Sequence, residues 1–164
     1  MVTDIFGHVS DITDEEEVSA YLRKMVRREA GDGSGLIYGM GHAVYTLSDP
    51  RAVILKRNAK ELAEEKGLID EWKLLDVIER TAPAVFAEEK GIAKTICANV
   101  DLYSGLVYRT LGIPEDLYTP MFACARVAGW CAHRLEEIAT GGKIMRPAYK
   151  SLSKVTAYVE LDER

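Results

Sequence analysis

Asn99-Val-Asp-Leu-Tyr-Ser-Gly105, continued through Leu111-Gly-Ile-Pro114, reads as one helix with its start and stop written in. An apolar helix begins near Asp101 and runs to about Leu111. Gly112-Ile-Pro114 ends it, because glycine leaves the helix easily and proline cannot continue it. The same grammar repeats on both sides.

On the C-terminal side, Thr119-Pro120 opens a long helix to about Thr140, closed by Gly141-Gly142. Lys143 to Lys150 is irregular and basic, and Thr156-Ala-Tyr-Val159 reads as a short strand or an extended tail. On the N-terminal side, Thr13-Asp-Glu-Glu16 has the form of a capping box, and Val18, Tyr21, Leu22, Met25 and Val26 follow at helical spacing. That helix should stop near Gly31-Asp-Gly-Ser-Gly35. Ser48-Asp-Pro50 opens another, with Pro50 in its first position, ending at Gly67. A further helix is expected from Ile69 to Arg80, broken and restarted at Thr81-Ala-Pro83. The expected fold class is therefore all-α, with a boundary between segments near Gly112 to Leu117.

The chain has 164 residues, one-domain length with room for a substantial core. Apolar residues make up 48% and charged residues 29%, which fits a globular protein. A net charge of −5 argues against nucleic acid or an anionic membrane as a general partner, since both require a basic field. The longest apolar run, Pro120 to Ala132, contains Arg126 and is too short to span a bilayer. No signal peptide is read at the start. Cys97, Cys124 and Cys131 form no CxxC, so neither a disulfide framework nor a metal site is expected. Cys124 and Cys131, in an apolar run, are expected as small buried thiols. A reducing cytoplasm fits this usage.

Four segments carry residues suited to chemistry. In Gly39-Met-Gly-His42, paired glycines let backbone approach a ligand, and the loop ends on a histidine, a residue type suited to acid–base work. A dinucleotide fingerprint fails, because Val44 stands where a third glycine belongs. An ordinary turn explains the pattern equally well. Arg126 shares a helical stripe with Phe122, Ala123, Gly129, Trp130 and His133. A buried guanidinium there needs an internal carboxylate or an anionic ligand. Arg51 opposes the dipole at a helix start, so it is either a surface arginine or half of an anion site. Asp101 reads first as an N-cap and second as a general base at a helix entrance. Arg146 lies in a basic tail that reads as solvated. His8 and His133 read as structural.

Together these segments resemble the citrate synthase family. The resemblance rests on Gly39-Met-Gly-His-Ala-Val-Tyr45 with Asp49-Pro-Arg-Ala52, and on Asn99-Val-Asp-Leu-Tyr-Ser-Gly105 with Leu111-Gly-Ile-Pro114. It rests equally on Ala125-Arg-Val-Ala-Gly-Trp-Cys-Ala-His-Arg134 with Ile144-Met-Arg-Pro147. Their order and spacing agree over almost the whole chain.

The resemblance implies a citrate synthase-like helical fold, truncated at the N-terminus. Residues 1–114 would be the small, mobile, CoA-binding domain, and residues 115–164 a C-terminal segment of the large domain. It implies that His42 protonates the oxaloacetate carbonyl and that Asp101 removes a methyl proton from acetyl-CoA. Arg51 and Arg126 resemble ligands of the oxaloacetate carboxylates, and Arg146 an arginine that reaches the neighbouring subunit's substrate. Leu36 to Gly41, including Gly39 and Met40, resembles the loop that holds the adenine of CoA. Lys94 resembles a contact to a CoA phosphate.

The implied reaction condenses acetyl-CoA with oxaloacetate to citrate and CoA, with no permanently bound cofactor, in a homodimeric full-length enzyme. Propionyl-CoA, giving 2-methylcitrate, is the neighbouring alternative. A non-catalytic domain that binds CoA or a partner is the alternative from another class. The family's thioester-oxygen donor sits in a Leu-His-Gly-Gly-like motif found nowhere in these residues. Its expected place is upstream of Met1, and the chain alone is expected to be inactive.

Overall fold

A computed structural model describes residues 1–91 and 95–141. Six α-helices follow in order: α1 (Val2–Phe6), α2 (Glu15–Val26), α3 (Pro50–Lys66), α4 (Ile69–Lys90), α5 (Asp101–Thr110) and α6 (Tyr118–Thr140). A 3-10 turn, Glu115–Leu117, precedes α6. Among the described residues the one β-type pairing is an isolated antiparallel bridge between Met40 and Ala98. The all-α reading holds. The chain divides into two compact units, Met1–Phe122 and Ala123–Arg164.

In the first unit, α4 is the central helix. It packs against α1, α2, α3 and α5, and α3 also lies along α5. α2 turns Val18, Leu22 and Met25 inward at helical spacing, α4 contributes Leu74, Leu75, Ile78 and Val85, and α5 contributes Leu102, Tyr103 and Leu106. Burying each such aliphatic side chain contributes about 1.5–3 kcal/mol before conformational entropy is set against it. A second layer of polar order crosses this core. Tyr103 is fully buried, and its hydroxyl donates to Glu79 at 2.6 Å. Lys56 from α3 meets the same Glu79 at 2.8 Å, so one carboxylate joins α3, α4 and α5.

Helix ends follow local chemistry. The cap of α2 is Asp14, not Thr13: the Asp14 carboxylate accepts from the Glu16 and Glu17 amides. Thr13 instead donates its hydroxyl to Asp11. α2 also stops at Val26, ahead of the glycine loop. Arg28 takes φ +67°, and Glu29 N–H returns to the Lys24 carbonyl at 2.8 Å, a Schellman closure normally made by glycine. α3 begins as expected with Pro50 first, and closes as expected on Gly67 at φ +72°; its N-cap is Asp49.

The expected break at Thr81-Ala-Pro83 is absent. α4 runs unbroken through Pro83, because Val77, Ile78, Thr81, Ala82 and Val85 are buried on both sides of it. Packing there outweighs the missing amide hydrogen bond.

The second unit holds most of α6. None of the residues of α6 is buried, and Val127, Trp130, Leu135 and Ile138 are exposed. Cys124 and Cys131 are therefore exposed, against the expectation of buried thiols, while Cys97 is buried. Arg126 is likewise exposed on α6, which corrects its reading as a buried guanidinium. The expected strand or tail at Thr156–Val159 lies outside the described residues, as do Lys94 and Arg146.

Candidate active site

The site is built where the loop before α3 meets the segment before α5. Residues 39–41 and 97–99 pair like two short strands. Gly41 N–H donates to the Cys97 carbonyl at 2.8 Å, and Asn99 N–H donates to the Gly39 carbonyl at 2.8 Å. Gly39 has φ +86° and is buried against α5; a β-carbon there would sit 2.7 Å from the Leu102 nitrogen. Glycine at 39 is thus required for close approach of the loop to α5, where the sequence reading has a ligand. This pairing brings the segment ending in His42 beside the segment entering Asp101.

His42 is held by backbone. The amides of Val44 and Tyr45 both donate to its Nδ1 at 3.0 Å. Two donors on Nδ1 leave the neutral ring's proton on Nε2. The Tyr45 ring packs against the imidazole, with centroids 4.9 Å apart. Nε2 faces Nη2 of Arg51 at 3.1 Å. Both atoms are then donors, an arrangement that is satisfied when one acceptor oxygen lies against both.

Arg51 is fixed from behind. Its Nε donates to Asp49 Oδ1 at 3.0 Å and its Nη2 to Oδ2 at 2.7 Å. Asp49 is 1% exposed and also caps α3 through the Arg51 amide. The anion at this helix start is therefore supplied by the protein itself. The Arg51 guanidinium beside Asp49 holds that carboxyl below the usual carboxylate range. Among the described residues Nη1 of Arg51 makes no hydrogen bond, and about half of the side chain is exposed. That edge of the guanidinium suits a second carboxylate in bidentate contact.

Asp101 is the first residue of α5, not its N-cap. The cap position is Val100, with no side-chain cap bond. Asn99 does the work instead: its Oδ1 accepts the Asp101 amide at 2.8 Å. The Asp101 carboxylate is exposed, and among the described residues it accepts no hydrogen bond. It lies within electrostatic reach of Arg51 and helps to hold that guanidinium charged. It also lines a recess of about 180 Å³ with Tyr38, Leu102, Gly105, Arg109 and Tyr118. A carboxylate that accepts no hydrogen bond among the described residues, lines a recess and lies within electrostatic reach of a cation is equipped to accept a proton.

The preceding loop exposes Leu36 and Tyr38 while Ile37 is buried. Ser34 and Tyr38 hydrogen-bond the Asp32 carboxyl and hold it at about 2, which fixes the loop at one end. Lys90 anchors it again by donating to the Gly35 carbonyl at 3.2 Å. Leu36, Gly39, Met40 and Gly41 are thus part of one braced turn leading to His42. Among the described residues no group of three or more His, Cys, Asp or Glu side chains is arranged to hold a metal ion.

Residues 3–148 match the family described as citrate synthase, C-terminal domain. The chain belongs to the citrate synthase family. It is 38% identical over 162 residues to the citrate synthase of Synechocystis sp., covering 98% of this chain and 38% of that one. It is 42% identical over 143 residues to the citrate synthase of Acidithiobacillus ferridurans, covering 85% of this chain and 34% of the other. The crystal structure of citrate synthase from Pyrobaculum aerophilum superposes with a TM-score of 0.58 at 30% identity, over 89% of this chain and 35% of that one. The chain thus spans little more than a third of the length of these citrate synthases.

Asp49 and Asn99 are the residues that the sequence reading passed over. Each had a signal: Asp49 stands directly before the helix-opening Pro50, and Asn99 stands two residues before a helix start, where its side chain can reach the amide. Arg126 lies in the second unit, on α6.

Proposed function

We propose that this chain supplies the small-domain part of a citrate synthase active site, with His42 and Asp101 as its acid–base pair. The observation that carries the reading is the ladder between residues 39–41 and 97–99, which joins the segments bearing these two side chains. In the proposed reaction Asp101 accepts a proton from the methyl of acetyl-CoA. The resulting enolic carbon attacks the oxaloacetate ketone, and His42 delivers its Nε2 proton to the alkoxide. Water then cleaves the thioester to give citrate and CoA. Arg51 orients the dianion through its Nη1 edge, and its charge favours the oxyanion as it develops.

Further contacts belong to the same proposal. Arg126 and Arg146 complete the carboxylate set, with Arg146 acting toward a neighbouring subunit of a homodimer. Leu36 to Gly41 and Lys94 hold CoA. Residues 1–114 act as the closing domain and residues 115–164 as part of the large one. The donor to the thioester oxygen comes from a histidine outside these residues. No permanent cofactor is needed, and the cytoplasm is the proposed site of action. No helix among the described residues is long and apolar enough to cross a membrane.

The test is release of CoA by the complete protein with oxaloacetate and either acetyl- or propionyl-CoA. Turnover that prefers the acetyl thioester supports the reading. Preference for propionyl-CoA moves it to 2-methylcitrate synthesis, a difference of one methylene. Absence of turnover with either thioester, together with CoA binding by calorimetry, leaves a binding domain.

A further inference from the structure

We propose that Asn99 is a positioning residue that sets His42 and Asp101 in register with each other. The inference rests on the proposed acid–base pair and adds to it the group that joins the two. Three hydrogen bonds of Asn99, each of 2.8 Å, tie the two segments together, and its carbonyl also accepts the Leu102 amide at 3.2 Å. Its backbone N–H donates to the Gly39 carbonyl, its Nδ2 donates to the Gly41 carbonyl, and its Oδ1 accepts the Asp101 amide.

The two side-chain bonds reach different segments, one toward His42 and one at the start of α5. Gly41 is the residue immediately before His42, and the Nδ2 bond fixes the peptide that carries it. The Oδ1 bond fixes the first amide of α5 and leaves the Asp101 carboxylate without a capping duty. A carboxamide is the side chain that can donate on one side and accept on the other at this reach. Aspartate would accept from Asp101 but repel the Gly41 carbonyl, and alanine would do neither. A displacement of about 1 Å between acid and base can cost about 100-fold in rate, so this brace acts on turnover more than on binding.

The test uses the complete protein carrying Asn99→Asp or Asn99→Ala. Steady-state CoA release is measured with acetyl-CoA and oxaloacetate, and amide hydrogen exchange is measured in parallel. The expected result is a fall in kcat of about 100-fold in both variants, with KM for each substrate changed by about threefold at most. The Val44 and Tyr45 amides, which donate to His42, should exchange faster in both variants. Protection of Leu22 and Ile78 in the core should be unchanged. In Asn99→Asp the Asp101 amide should keep its protection, because that acceptor survives.

Wild-type protein without turnover defeats the acid–base reading, and the role of Asn99 with it. Wild-type turnover with unchanged kcat in Asn99→Asp defeats the positioning role alone. Loss of core protection equal to the loss at Val44 and Tyr45 likewise defeats it, since Asn99 would then be holding the fold.

Discussion

A β-carbon placed on Gly39 would lie 2.5 Å from the α-carbon of Leu102. The loop that carries His42 therefore rests directly on the first turn of α5, backbone against backbone. Neither side can give way as a flexible side chain would. Gly39→Ala should destabilise the chain by about 2–4 kcal/mol, combining strain at a positive φ with overpacking. Gly41→Ala is the control. Its φ is +93°, but nothing lies within 4 Å, so only the conformational cost of about 1–2 kcal/mol applies. Urea denaturation of the two variants should rank them in that order, and equal losses would contradict the close approach.

Asp49 ties stability to acid pH. Its carboxyl is held below the ordinary value by Arg51, so the folded state binds fewer protons there than the unfolded state. The stabilisation is complete above the unfolded carboxylate value of about 4 and is lost as pH falls through the lower folded value. Urea midpoints between neutral and strongly acid pH should fall more steeply for the wild type than for Asp49→Asn. Parallel curves would show that the pair contributes nothing to acid stability.

Helix boundaries were legible where a residue type makes the signal unambiguous. Pro50 and Gly67 bound α3 as expected. The signal failed where tertiary structure overrode it. Arg28 takes the left-handed position that a glycine would have advertised. Pro83 sits inside α4 because the buried residues around it demand a continuous helix. The candidate site was proposed from linked motifs, and of its residues His42, Arg51 and the Gly39 turn lie together in the structure. What the sequence could not reveal was the division of labour between neighbours. Asp101 reads as a cap, yet Asn99 does the capping. Arg126 reads as buried, but whether a helix face is covered depends on what packs against it, and α6 buries none of its residues.

Pro83→Ala should stabilise the chain. Alanine restores an N–H for the Glu79 carbonyl and removes the ring from the preceding turn. A gain of about 1–3 kcal/mol in unfolding free energy is expected, because proline is disfavoured by about 3 kcal/mol in a helix interior. A loss of stability would mean that the Pro83 ring packs in a way alanine cannot replace.

Tyr103→Phe probes the polar joint between α3, α4 and α5. The hydroxyl bonded to Glu79 is lost, but Lys56 still meets that carboxylate. The expected cost is about 0.5–1.5 kcal/mol, the usual net worth of one hydrogen bond. A drop beyond about 3 kcal/mol in a urea titration would show that Lys56 fails to hold Glu79 alone.

The central claim is that Asp101 is the base and His42 the acid of one reaction. It is tested most directly by kcat for CoA release in the complete protein, comparing wild type with Asp101→Asn and His42→Gln. Each substitution should lower kcat by about 100-fold to 10,000-fold while the folded fraction stays unchanged. The double variant should fall far short of the product of the two losses, because the side chains act as a unit. Retention of wild-type kcat in Asp101→Asn would contradict the account.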